Sequence, residues 1–235
     1  MGTSSDHPGG VGGAWTPYKV AVSNFAKRGG QPRFDKVLSR YVGAMGGAGG
    51  AAAAASSAGL GTAGALGDFS AGLATEGLTV TLERLDLGNL VGQGRWEVLD
   101  GLSEALLDDE STDRDVAHFA LEKAFSELFP EDAQTYEELE AVELDGDDVV
   151  ALIESFVMWM AYRGVEQMLD QKYADIQDPT ELAHRDAEAK ARLRSLVRLE
   201  LVGRDPLKVD WRGPEGQGII GRVIEEFYEA MAELE

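Results

Sequence analysis

The sequence predicts an all-α protein: a multi-helix bundle domain preceded by a flexible glycine-rich N-terminal tail and a small-residue (Gly/Ala) region. Three observations carry that reading. From about residue 94 onward the large apolar residues recur at three- and four-residue spacings, the period of a helix with one buried face. Glycine is concentrated at the front, with 18 of 29 in residues 1–80 and none in 102–145. Charge is partitioned as well: residues 1–100 hold eight Lys/Arg and eight Asp/Glu, while 101–235 hold 13 basic and 34 acidic residues, so the whole net charge of −21 falls on the second part. These shifts divide the chain into a flexible tail (1–14), basic helices with a Gly/Ala-rich region (15–77) and an acidic α-helical domain (78–235).

In chain order, Trp15-Thr16-Pro17-Tyr18 forms a turn in which Pro17 suits the first position of a helix. A short basic helix follows through Tyr18, Val22 and Phe25 and stops near Gly29-Gly30. A second, over about 33–43, places Phe34, Val37, Leu38, Tyr41 and Val42 on one face and Arg33, Lys36 and Arg40 on the other. Together these two helices are the only basic surface the chain offers.

Tyr41 to Gly67 is a run of 27 residues without a charge, nine of them glycine. A membrane-crossing helix needs about 20 predominantly apolar residues, and glycine and alanine contribute little transfer free energy. The expectation is therefore a small-residue helix buried against neighbours and flanked by a flexible glycine stretch, with Ala51–Ala55 favouring helix. Alternation at Leu78-Thr79-Val80-Thr81-Leu82 allows a short strand there.

The remainder reads as helix. Trp96, Val98, Leu99, Leu102, Leu106 and Leu107 mark one over about 94–108. Ser111-Thr112-Asp113 caps the next, with Val116, Phe119, Ala120, Phe125 and Leu128 facing inward until Phe129-Pro130 ends it. A weaker acidic helix occupies 134–142. Asp145-Gly146-Asp147-Asp148 lacks the ligand spacing of a calcium loop, and carboxylates beside free N–H groups at a helix start fit a cap better. The helix it opens, from Val149 through Leu169, is the expected core helix. Pro179-Thr180-Glu181 starts another that reaches about Val202, with Glu181, Arg185, Glu188 and Arg192 on its exposed face. Gly203–Pro206 and Trp211–Gly216 are turns. The last helix buries Ile219, Ile220, Val223, Ile224, Phe227, Met231 and Leu234, and carries several glutamates toward its end, against the dipole.

Composition excludes several chemistries. With no cysteine there is no disulfide, thiolate nucleophile or zinc–sulfur site, and no secretory signal is present; a cytoplasmic location is expected. The acidic surface repels phosphate backbones, so direct nucleic-acid binding by residues 101–235 is disfavoured; that surface is either a solvated helical face or a docking face for a basic partner. His7, His118 and His184 are scattered without metal-ligand spacing or a neighbouring nucleophile. No glycine run ends in the Lys-Ser/Thr of a phosphate loop. The chain reads as a non-enzyme with no catalytic residue, no metal site and no bound cofactor.

The tip carries the chemistry that remains. Met1 before a small residue is normally removed, which leaves the α-amine of Gly2 as the terminus. Such an amine has a pKa of roughly 7.7–8.0, so a usable fraction is neutral and nucleophilic at cellular pH. The glycine-rich stretch behind it holds it out in solvent. Asp6 breaks the pattern for N-myristoylation, which needs Ser or Thr at that position.

Several stretches together resemble the QatB family of the Qat anti-phage defence system. They are Met1-Gly2-Thr3-Ser4, Phe25-Ala26-Lys27-Arg28-Gly29, Leu38 through Tyr41-Val42, Gly46-Gly47-Ala48-Gly49, Thr62-Ala63-Gly64-Ala65-Leu66 and the closing aromatic, acidic helix. The resemblance implies a small helical component acting with an ATPase (QatA), a QueC-like enzyme (QatC) and a TatD-like nuclease (QatD). It implies that QatC joins a 7-deazaguanine group to the amine of Gly2, with Thr3 and Ser4 as the small extended backbone entering the partner's pocket. Where relatives have a long proline-rich spacer behind the tip, this chain has a short glycine-rich one. Two other readings stay open at this point: a membrane-active effector using residues 41–67, and a helical oligomerisation scaffold.

Overall fold

Helix-forming signals and tertiary contacts are realised together in the computed structural model, which describes residues 13–174, 176 and 178–234. The described residues form ten α-helices: α1 (Trp15–Arg28), α2 (Gln31–Ala44), α3 (Ala48–Glu76), α4 (Leu78–Arg84), α5 (Arg95–Leu106), α6 (Arg114–Leu128), α7 (Tyr136–Glu140), α8 (Gly146–Tyr173), α9 (Pro179–Leu196) and α10 (Pro214–Ala232). No strand occurs among the described residues, and the expected all-α class holds. The chain divides into two units: residues up to Ala54 with Ala161–Val197 and Glu225–Glu235, and Ala55–Met160 with Arg198–Ile224.

In the first unit α1 and α2 form an antiparallel hairpin, because Gly29 and Gly30 both take positive φ (55° and 93°) and turn the chain in two residues. The Gly29 N–H closes α1 by donating to the Phe25 carbonyl at 2.7 Å. Phe25 and Phe34 then meet across the turn, ring centroids 4.9 Å apart. Val22, Val37, Leu38, Val42, Val165, Leu169, Leu193 and Met231 are buried in this unit. Arg192 of α9 pairs with Asp35 of α2 at 2.6 Å, and Glu188 accepts the Gly30 N–H at 3.1 Å.

A helix whose larger part falls in the second unit explains the uncharged run. Most of it lies in α3, a 29-residue helix. Interior glycine costs about 0.5–1 kcal/mol relative to alanine, so a glycine-rich helix persists only where neighbours use the missing side chains. Here they do. A Cβ on Gly67 would stand 2.7 Å from the Trp211 ring, and one on Gly64 would stand 2.7 Å from the Trp211 carbonyl oxygen. Thr62 is buried with its hydroxyl accepting the Asp108 N–H at 3.0 Å, and Ser111 donates to the Ala58 carbonyl at 2.6 Å. Among the described residues no helix is long and apolar enough to cross a membrane. The glycine stretch ahead of α3 is a tight turn, Gly46 and Gly47 both having positive φ.

Three local expectations need correction. Residues 78–84 are helix, not strand: Leu78, Thr81 and Leu82 share a buried face while Val80 is 49% exposed, and the Thr81 hydroxyl donates to the Gly77 carbonyl at 2.8 Å. α9 ends at Leu196 rather than near 202, because Val197 is extended and the Leu199 N–H donates to the Glu154 carboxylate at 2.7 Å. In α6 the buried face is Ala117, Ala120, Leu121, Ala124 and Phe125, so Val116, Phe119 and Leu128 sit at its margin, half-buried.

The caps follow the sequence. Asp113 accepts the Val116 N–H at 3.3 Å at the start of α6, and Thr135 with Glu138 forms a capping box on α7. Asp145 accepts the N–H groups of Asp147 and Asp148 at 2.8 and 3.1 Å, while Asp148 accepts the Asp145 N–H at 2.8 Å. That cluster is therefore a reciprocal cap opening α8.

Candidate functional site

Gly2, Thr3 and Ser4 lie outside the described residues. What is described is the place where the chain behind them becomes helix. Trp15, the first residue of α1, meets Tyr18 edge-on at 5.7 Å and Tyr41 of α2 at 6.3 Å, and the two tyrosine rings are 5.6 Å apart. The Tyr18 hydroxyl donates to the Val165 carbonyl at 3.3 Å. Gly164 makes room for Tyr41: a Cβ there would lie 2.3 Å from the Tyr41 hydroxyl. Three rings on one side of a helix start hold it in a single orientation, since aromatic pairs at these distances add about 0.5–1.5 kcal/mol each beyond their buried area.

Two turns along α1 the surface changes character. Ala21, Asn24 and Arg28 fall on one face of α1 by helical spacing, and Arg33 and Lys36 project from α2 beside them. They line an open pocket of about 210 Å³. Arg33 is steadied by donating to the Gly29 carbonyl at 2.8 Å. The hairpin turn thus gathers the cations that the sequence shows only as a stripe.

Between α8 and α9 in the same unit, the Tyr162 hydroxyl donates to Asp186, which also pairs with Lys190 at 2.5 Å. Arg185 reaches Glu181 at 2.9 Å and Glu188 at 3.7 Å. The Tyr173 hydroxyl is buried, with no hydrogen-bond partner among the described residues. Burial pushes the hydroxyls of Tyr18, Tyr162, Tyr173 and Tyr228 well above their ordinary range, the charge of Asp186 adding to the effect at Tyr162 and Tyr173. Tyr136 is raised too, again by burial first.

These groups hold their protons more tightly folded than unfolded. The stability they contribute is fully present below the unfolded tyrosine pKa of about 10 and is lost as pH rises past it. In an ultraviolet absorbance titration, most of the six tyrosines are expected to stay protonated at about pH 11 until the chain unfolds. Full ionisation of a still-folded protein at that pH would contradict their burial.

The second unit uses its unusual polar groups for architecture. Arg95 is 5% exposed and donates to the carbonyls of Phe129, Pro130 and Ala133, at 3.2, 2.6 and 3.0 Å. Glu127 accepts from the Ser155 hydroxyl at 2.6 Å and the Trp159 indole at 3.0 Å. His118 lies 3.9 Å from both Glu104 and Glu122, and His184 is exposed on α9. Among the described residues no group of three or more His, Asp or Glu is placed to hold a metal ion.

Sequence reading missed the Arg95 clamp and the inward position of Trp211, which looked like a turn residue. Trp211 did carry a signal: an aromatic ring in a turn, far along the chain from a run of helical glycines, is a large group in need of a small-residue surface.

Among the described residues the site is a ring-clamped helix start beside a cationic hairpin, on a chain that is strongly acidic overall. The family model described as Qat anti-phage system associated protein QatB matches residues 46–231, and the chain belongs to that family. The match covers the chain from the turn before α3 into α10, so the hairpin and the segment ahead of it lie outside the matched span. No curated protein and no solved structure matches the chain. Family membership makes it a component of an anti-phage defence system, with other components of that system as its partners.

Proposed function

We propose that this chain is a non-enzymatic acceptor within its defence system, modified at the Gly2 amine by a QueC-like partner, QatC. The partner would hold the ATP and any metal and activate a carboxyl group on a 7-deazaguanine. The neutral Gly2 nitrogen attacks that carbonyl carbon, a C–N amide bond forms, the bond to the activating phosphate oxygen breaks, and the amine proton passes to solvent. Thr3 and Ser4 supply small backbone that enters the partner's pocket. The only cofactor-like group is then the covalent 7-deazaguanine itself. QatA and QatD complete the set of partners, and the protein works in the cytoplasm.

Family membership supports this reading, and so does the ring clamp, which starts the helical body at Trp15. Gly2 is 13 residues ahead of Trp15. At about 3.3–3.6 Å per residue, that length reaches at most roughly 45 Å, enough to enter a neighbouring enzyme while the body stays docked outside.

Intact mass of the full chain, made with and without the QueC-like partner, tests the proposal. The expected result is a mass increment in the N-terminal peptide that requires the partner and disappears in Gly2→Leu, whose bulk retains Met1. Identical masses in both preparations would end it.

A further inference from the structure

We infer that the α1–α2 hairpin binds a phosphate chain in the pocket lined by Asn24, Arg28, Arg33 and Lys36. Residues 13–44 hold six Lys/Arg and one Asp in a chain whose net charge is −21. That one carboxylate, Asp35, is already paired with Arg192 at 2.6 Å. No acid lines the pocket itself, and Glu188, which reaches the same turn, is engaged by the Gly30 N–H and Arg185. Arg28 and Lys36 make no ion pair among the described residues and are exposed. Arg33 spends one of its five donors on the Gly29 carbonyl, which fixes the guanidinium and leaves donors facing the pocket.

Three cations brought together from two helices beside the hairpin turn repel one another, and a multiply charged anion relieves that repulsion while accepting their hydrogen bonds. The lining chooses among anions. A forked guanidinium, an ammonium and the Asn24 amide match the spread oxygens of adjacent phosphates. Among the described residues no ring lines the pocket, so a nucleobase has nothing to stack on there and the phosphates carry the recognition. Its volume of about 210 Å³ is open on one side and suits a short phosphate chain rather than a single bound water. Either inorganic polyphosphate or the phosphates of a nucleotide supply this chemistry.

Calorimetric titration of the full chain with inorganic tripolyphosphate, ATP, citrate and an oligothymidylate tests the assignment. Tripolyphosphate should bind, with Arg28→Gln and Lys36→Gln each weakening it about tenfold and the double variant abolishing it. Because neither side chain is ion-paired among the described residues, the thermal midpoints of these variants should match the parent, which separates lost binding from lost folding. Equal affinity for ATP and tripolyphosphate assigns the site to the phosphates alone, and tighter ATP binding assigns it to a nucleotide. The inference is overturned if tripolyphosphate does not bind at millimolar concentration, if the double variant binds it undiminished, if citrate competes equally, or if only the oligonucleotide binds.

Discussion

Trp211→Ala is expected to lower unfolding stability by about 3–5 kcal/mol, the range for truncating a large buried aromatic side chain. Trp211 is 1% exposed, its indole donates to the Pro206 carbonyl at 3.0 Å, and its ring and carbonyl lie directly on Gly67 and Gly64. Truncation therefore opens a void on α3 where the helix has no side chains of its own to fill it. The converse change attacks the same contact from the other side: Gly67→Val forces a branched side chain into a ring 2.7 Å from where its Cβ must sit. Overpacking of this kind costs about 1–3 kcal/mol or more. Urea denaturation followed by far-ultraviolet circular dichroism checks both variants, with Trp96→Ala as control. Trp96 is 71% exposed and touches only the Arg95 guanidinium among the described cations, so its loss should change stability by no more than about 1 kcal/mol. A Trp211→Ala protein as stable as the Trp96→Ala control would refute the packing described for α3.

Arg95→Met is expected to cost a comparable amount, about 3–5 kcal/mol, for a different reason. The guanidinium satisfies three main-chain carbonyls just beyond the end of α6, at Phe129, Pro130 and Ala133. Methionine fills much of the same volume but donates nothing. Each buried acceptor left without a donor carries a desolvation penalty of about 1–3 kcal/mol. The three are not additive, because the loop can relax and admit water. Arg114 is the matching control: its pairs with Glu104 and Asp109 are at the surface, where such contacts contribute at most about 1 kcal/mol. Hydrogen exchange of the 129–134 amides gives a second readout, since loss of the clamp should raise their exchange relative to parent while leaving the α1–α2 hairpin unchanged.

How far the fold could be read in advance depended on whether the deciding interaction was local. α6 and α8 were legible because their stops and starts are side chains acting within a turn: Asp113 and Asp145 at the N-termini, Phe129-Pro130 at an end. Residues 78–82 were not, because Leu78, Val80 and Leu82 alternate while Leu78, Thr81 and Leu82 also fit one helical face. Exposure of Val80 decides for the helix, and exposure is a tertiary property. The same applies to α9, whose last expected turn is undone by Glu154, 45 positions away from Leu199 in sequence. The cationic stripe was visible as charge, but the pocket exists only because Gly29-Gly30 folds α2 back along α1. Gly2 was singled out by the chemistry of its amine, and Thr3 and Ser4 by the family resemblance; all three lie ahead of the described residues and of the matched span, so their case rests on the test by mass.

The ring clamp at Trp15 has a consequence for how such a protein can change over generations. Trp15, Tyr18 and Tyr41 are therefore constrained to change together, because losing one ring deprives the other two of a neighbour. Gly164 is tied to the same set, since any larger residue there would displace the Tyr41 hydroxyl.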